Sequence, residues 1–274
     1  MIGRRPCDSK IRPMKTHIHC GFHKTASTYL QRVLRDNAKR LSCYLTIINR
    51  IELGTYDLRM ACLAYNSGRG KASAVRAELD RLAQRVAGSD RPVLITDEAF
   101  FGPHIGQDGE TRLFPRAHEV SQMMVEAFAP HPVEILLYTR DESSWLKSVH
   151  NQSVKQDRYS GSFEEFLAEI GGGADLDAVT ARIAATIGPE RVQVFRLEDD
   201  RSHPFGSGGA LLDHVGIPRE VQQDLKRASG INQSLDARHL RIMRRLNGLA
   251  LPDFLYGRMR RGVLRLQRRA RARS

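Results

Sequence analysis

The stretch THIHCGFHKTASTYLQ, residues 16–31, decides how the rest of the chain is read. It runs as an apolar strand, a turn at Gly21, a lysine, a cluster of hydroxyls and then a helix. That order builds a cradle for a phosphate-like anion. Backbone N–H groups and the positive end of the helix dipole face the ligand, and Lys24 adds a full charge. Thr25, Ser27 and Thr28 place hydroxyl donors in the first turn. Leu30, Val33 and Leu34 recur at helical spacing and seat the helix on a core. The plainer alternative is a strand-to-helix turn with a solvated lysine.

Outward from this stretch, strand and helix patterns alternate, as in an α/β fold. Strands are expected at His17–Cys20, Pro92–Thr96, Val133–Thr139 and Val192–Arg196. Runs such as VEILLY suit parallel strands buried on both faces. Helical patterns lie near 26–40, 74–87, 118–129, 141–155, 163–170, 176–187, 207–215, 219–228 and 235–248. Ligands in such sheets bind beyond the carboxyl ends of the strands, so the residues just after each strand carry the most information.

The loop is not a Walker A motif, which needs G-x-x-x-x-G-K-[ST]. Aligned on Lys24 and Thr25, the two glycine positions hold Ile18 and His23. Lys24-Thr25-Ala26-Ser27-Thr28-Tyr29-Leu30 instead resembles the 5′-phosphosulfate loop of sulfotransferases that use 3′-phosphoadenosine 5′-phosphosulfate (PAPS), with Ala26 in place of the usual glycine. A second resemblance follows the third strand, where LLYTRDESSWLKSVHNQ places Arg140 at its end and Ser148 eight residues on. In that family such a pair binds the 3′-phosphate. A planar guanidinium forks onto phosphate oxygens and a serine hydroxyl donates from the side.

The resemblance covers about residues 16–235. It implies a three-layer, P-loop-like α/β fold with a central parallel sheet flanked by helices. It also implies PAPS as the sulfuryl donor, with no metal required. Gly21, His23, Lys24, Thr25, Ala26, Ser27 and Thr28 would hold the 5′ end, and Arg140 and Ser148 the 3′ end. The family's late R-K-G motif is absent; Lys226, Arg227 and Gly230 are a loose echo.

An acidic pair, Asp97-Glu98, ends the second expected strand in VLITDEAFFG. In a sulfotransferase Glu98 would be the general base that takes the acceptor's proton, with His104 as a fallback. In a Mg²⁺-dependent small-molecule kinase Asp97 would hold the metal. The structural alternative is a helix cap at Asp97. Tyr138 and Trp145 could stack on adenine or pack in the core. Lys155 and Arg158 could meet an acidic acceptor or be solvated; VQVFRLEDD, residues 192–200, resembles the family's last strand, which implies a structural acid at Glu198; and INQSL, residues 231–235, resembles an N-x-S element of bacterial relatives.

The chain of 274 residues carries a net charge of +12. Residues 1–15 contribute +4 and residues 258–274 contribute +8, so the body between them is formally neutral. The basicity therefore lies in an N-terminal arm and an arginine-rich C-terminal tail around a single domain, 16–257. This argues against a nucleic-acid-binding face. The tail suits a solvated helix end or a weak contact with an anionic membrane surface. The four cysteines show no metal or disulfide spacing, and no signal or membrane span is evident, which fits a cytoplasmic protein, peripheral at most to the inner membrane surface. The expected activity is transfer of a sulfuryl group from PAPS to a hydroxyl or amine of a saccharide or glycolipid, in a bacterial setting. A kinase and a non-catalytic nucleotide- or glycan-binding relative remain as alternatives.

Overall fold

The computed structural model describes residues 15–49, 55–228 and 234–271. Five strands, β1 (Thr16–His19), β2 (Thr46–Asn49), β3 (Val93–Thr96), β4 (Val133–Thr139) and β5 (Val192–Arg196), form one parallel sheet in the order β2-β3-β1-β4-β5. Thr16 pairs in register with Val93 on one side and with Val133 on the other, which places β1 at the centre. Helices cover both faces. Leu94, Leu136 and Tyr138 point to the face where the helix Ser27–Asp36 packs through Leu30, Val33 and Leu34. The alternate residues Ile18, Ile95, Ile135 and Leu137 are equally buried on the other side. The expected α/β class and central parallel sheet are therefore what the chain adopts.

The chain divides into two compact units. The first draws on residues 15–103, 114–140 and 175–228 and contains the whole sheet. The second draws on 104–113, 141–174 and 234–271. Its core is Val154, Leu235, Met243, Leu246, Tyr256 and Val263. Asn151 ties the segments together by donating to the Leu235 carbonyl at 2.9 Å and accepting the Leu235 N–H at 2.8 Å. Its helices start where side chains satisfy the first N–H groups. Asp141 accepts the Ser144 N–H at 2.8 Å, and Ser162 with Glu165 forms a capping box.

Several elements differ from the sequence reading. β2 and the helix Tyr56–Asn66 were not among the expected elements. The arginine-rich segment expected as a tail from 258 belongs, as far as 271, to a helix that begins at Asp253. That helix buries Tyr256, Val263 and Gln267, and leaves Phe254 73% exposed. Among the described residues no helix is long and apolar enough to cross a membrane. Tyr138 and Trp145 are both buried, so core packing and not adenine stacking is their role. The N-terminal arm up to residue 14 and residues 231–233 of the N-x-S element lie outside the described residues.

Leu34 is fully buried at the contact between helix and sheet. Leu34→Ala is expected to cost about 2–5 kcal/mol, combining lost transfer energy with a cavity. Urea denaturation checks this through a lower midpoint at unchanged slope.

Candidate active site

The segment between β1 and the helix Ser27–Asp36 is held in an unusual conformation. Lys24 and Ala26 both adopt left-handed backbone angles, with φ of 67° and 66°. Neither is glycine, so each costs roughly 1–2 kcal/mol relative to an unstrained residue. Ala26 is the position where the sulfotransferase pattern has glycine, and its φ supplies the reason a glycine suits it. As the cap residue it offers no side-chain acceptor, and the first turn carries no acid. An uncapped positive helix end of this kind suits an anion.

Gly21 sits where a side chain would crowd its neighbours. A Cβ there would lie 2.5 Å from Ser27 Oγ and 3.2 Å from His19 Nε2. The hydroxyls divide by role. Thr25 is buried and donates to the Phe22 carbonyl at 2.5 Å, bracing the loop from inside. Ser27 is buried beneath Gly21, and Thr28 is exposed. His23 donates through Nε2 to the Gly102 carbonyl at 2.9 Å and stacks on Phe114. Arg140, just past the end of β4, donates to the Lys24 carbonyl at 3.2 Å and so reaches the same loop. Ser148, its expected partner, is a buried residue of the helix Glu142–Gln156 and falls in the second unit.

The two carboxylates after β3 have different surroundings. Asp97 is fully buried; it accepts from Arg59 at 2.6 Å and from the Ala99 N–H at 3.0 Å. It shapes a turn, and no helix begins there. Glu98 keeps 17% of its side chain exposed and accepts from Gln31 on the loop's own helix. Burial works against its charge. Nearby His23, its own backbone N–H, Arg59 and the Gln31 amide outweigh that effect and hold the carboxyl below its ordinary range. Glu98 is thus ionised at neutral pH and able to accept a proton.

His104 belongs to the second unit, with Nδ1 3.0 Å from the Ile105 carbonyl and Nε2 3.4 Å from Asp157. Arg158 lies over the Tyr256 ring and pairs with Asp253 at 2.9 Å, which accounts for it without an acceptor. Arg227 donates to the Pro204 carbonyl at 2.8 Å. A buried acid beyond β5 is Asp200, which accepts the N–H groups of Gly208 and Ala210 at the start of the helix Gly209–His214.

Three residues of the site were not found in the sequence: Arg59, Gln31 and His19. Leu58, Cys62 and Tyr65 recur at helical spacing and could have placed Arg59 on a helix. His19 is buried beside Gly21; its Nδ1 lies 2.9 Å from Thr96 Oγ1, and its Nε2 has no hydrogen-bond partner among the described residues. Burial drives its imidazole from 6.5 to about 4, against the pull of the Glu98 carboxylate in the other direction.

No protein-family model matches the chain, and no curated protein matches its sequence. Among solved structures it is similar to a sulfotransferase from Alicyclobacillus acidocaldarius. The identity is 16%, with 81% of this chain and 87% of that chain covered and a TM-score of 0.49. At that distance the functional reading rests on the residues themselves.

Two outcomes follow from this geometry. Ala26→Gly is expected to raise stability by up to about 1 kcal/mol, because it relieves the left-handed strain. The same exchange at Ala83, inside the helix Ala72–Val86, should lower it by about 1 kcal/mol. Paired denaturation curves separate the two. The second outcome concerns pH. The folded His19 resists protonation that the unfolded chain accepts, so stability is full above about 6.5 and is lost as pH falls towards 4. Wild type should lose on the order of 2 kcal/mol more than His19→Asn between pH 7 and 5. Equal losses in the two proteins would contradict this account of His19.

Proposed function

We propose that the chain is a sulfotransferase that moves a sulfuryl group from PAPS to a hydroxyl or amine of an acceptor, a saccharide or glycolipid. The observation that carries this reading is the pairing of the strained, uncapped Lys24–Ser27 loop with Arg140 at its side and ionised Glu98 beside it. The loop fits a phosphate group. Gly21 allows close backbone approach, the helix end is uncapped, and Lys24 supplies charge.

PAPS supplies an activated sulfuryl group on a phosphate leaving group. Lys24 neutralises the charge that grows on the bridging phosphate oxygen as its bond to sulfur breaks, an effect exerted mainly in the transition state. Glu98 takes the proton that the acceptor loses as its oxygen or nitrogen bonds to sulfur. Arg140 provides the fork for the 3′-phosphate and so selects against ATP. A glycolipid acceptor suits the helix Asp253–Arg271, which exposes Phe254, Met259 and Leu266 among its arginines and could rest on an anionic surface.

The kinase alternative asks Asp97 to hold Mg²⁺. Its carboxylate is fully buried and already engaged by Arg59 and the Ala99 N–H, which weighs against that role.

Calorimetric titration with 3′-phosphoadenosine 5′-phosphate, and in parallel with ATP and Mg²⁺, tests the reading. Preference for the 3′-phosphorylated nucleotide is expected, and Arg140→Ala should narrow it. Lys24→Ala should lower turnover by about 10²–10³-fold while changing nucleotide affinity far less. Preference for ATP with Mg²⁺ would replace the sulfotransferase with a kinase. Nucleotide binding without turnover on any acceptor would favour the non-catalytic relative.

A further inference from the structure

Towards the other end of the strands lies a second constellation. His17 and Glu134 are the second residues of β1 and β4, adjacent in register and on the same face of the sheet. His214 ends the helix Gly209–His214 and reaches the same point. His17 Nδ1 lies 2.9 Å, and His214 Nε2 2.7 Å, from Glu134 Oε2. Lys15 Nζ lies 3.1 Å from that same oxygen.

We propose that His17, Glu134 and His214 form a binding site for a divalent transition-metal ion of the zinc class, with Lys15 as the cation that holds the seat in its absence. Two imidazoles and one carboxylate are a recurrent zinc ligand set that leaves a fourth position for water. The three ligand atoms already lie within 4.8 Å of one another. Metal–ligand bonds of about 2.0–2.1 Å in a tetrahedron place ligand atoms roughly 3.3 Å apart, so the nitrogens need retreat only about half an ångström from Oε2.

One carboxylate oxygen with two lone pairs receives three donors here, more than it can satisfy well. A metal ion resolves that excess by turning both imidazole nitrogens into ligands and releasing the ammonium. Lys15 can leave, since its side chain is 41% exposed. His17 and Glu134 are buried, while half-buried His214 gives the ion an entry path. Phe195 packs edge-on against the His214 ring and orients it. The ion would staple the helix Gly209–His214 to β1 and β4. It takes no part in the chemistry proposed for the Lys24 loop.

The test uses the full chain, dialysed against chelator, with Zn²⁺ and Co²⁺ alone as probes. Zn²⁺ should raise the unfolding temperature by several degrees, and Co²⁺ should develop the visible absorption of a low-coordinate nitrogen–oxygen site. His214→Ala, at the most accessible ligand, should abolish both effects and still fold. Lys15→Met should tighten Zn²⁺ binding severalfold by removing the competing ammonium. Absence of both signals in wild type up to about 1 mM metal would overturn the site. So would signals that persist in His214→Ala, or a Lys15→Met variant that binds no more tightly than wild type.

Discussion

Arg59 donates at 2.6 Å to the fully buried carboxylate of Asp97, and the candidate site stands on that contact. A buried carboxylate without its partner is an uncompensated charge, and breaking such a pair typically costs about 3–5 kcal/mol. Asp97 in turn fixes the Ala99 N–H and so the path of the chain leaving β3. Glu98 is carried on that path, and Arg59 also lies 3.9 Å from it. One guanidinium thus sets the turn and helps keep the neighbouring acid ionised. The acid that shapes the turn and the acid proposed to meet a substrate are adjacent in sequence, and they differ in burial.

The Lys24–Ser27 loop is built on a different principle. Two non-glycine residues sit in left-handed conformations, and the strain is held by neighbours: Thr25 on the Phe22 carbonyl, His23 on Gly102, Arg140 on the Lys24 carbonyl. Each of these contacts helps to fix the shape of the loop. The helix terminus carries no side-chain cap, and Thr28 is exposed. Strain of this kind, over-determined by its surroundings, is a means of pre-organisation.

Much of the fold was legible because near-continuous apolar runs such as VEILLYT report central parallel strands directly. β2 was not, since four residues of mixed burial, TIIN, carry too little pattern. The helix Asp253–Arg271 was obscured by its own arginines, which mask the spacing of Tyr256, Val263 and Gln267. In the site, Gly21, Lys24 and Glu98 could be singled out because local order announces them. Arg59, Gln31 and His19 could not, because their significance is a distance to a residue far along the chain. Thr25 shows the converse: it matches the motif by position, yet its hydroxyl donates to the Phe22 carbonyl inside the loop.

The two units draw on the chain unequally, and this bears on the order in which they can be completed during synthesis. Every segment of the sheet unit has been made once residue 228 is reached. The second unit begins with residues 104–113 and 141–174, but its core needs Leu235, Met243, Tyr256 and Val263 as well. Until those residues are made, Val154 has no complete core to join, and Asn151 waits for Leu235 to satisfy its amide. A nascent chain would therefore hold a complete sheet unit while the second unit is still unfinished, and a chaperone that shields apolar segments would find its work between residues 141 and 174.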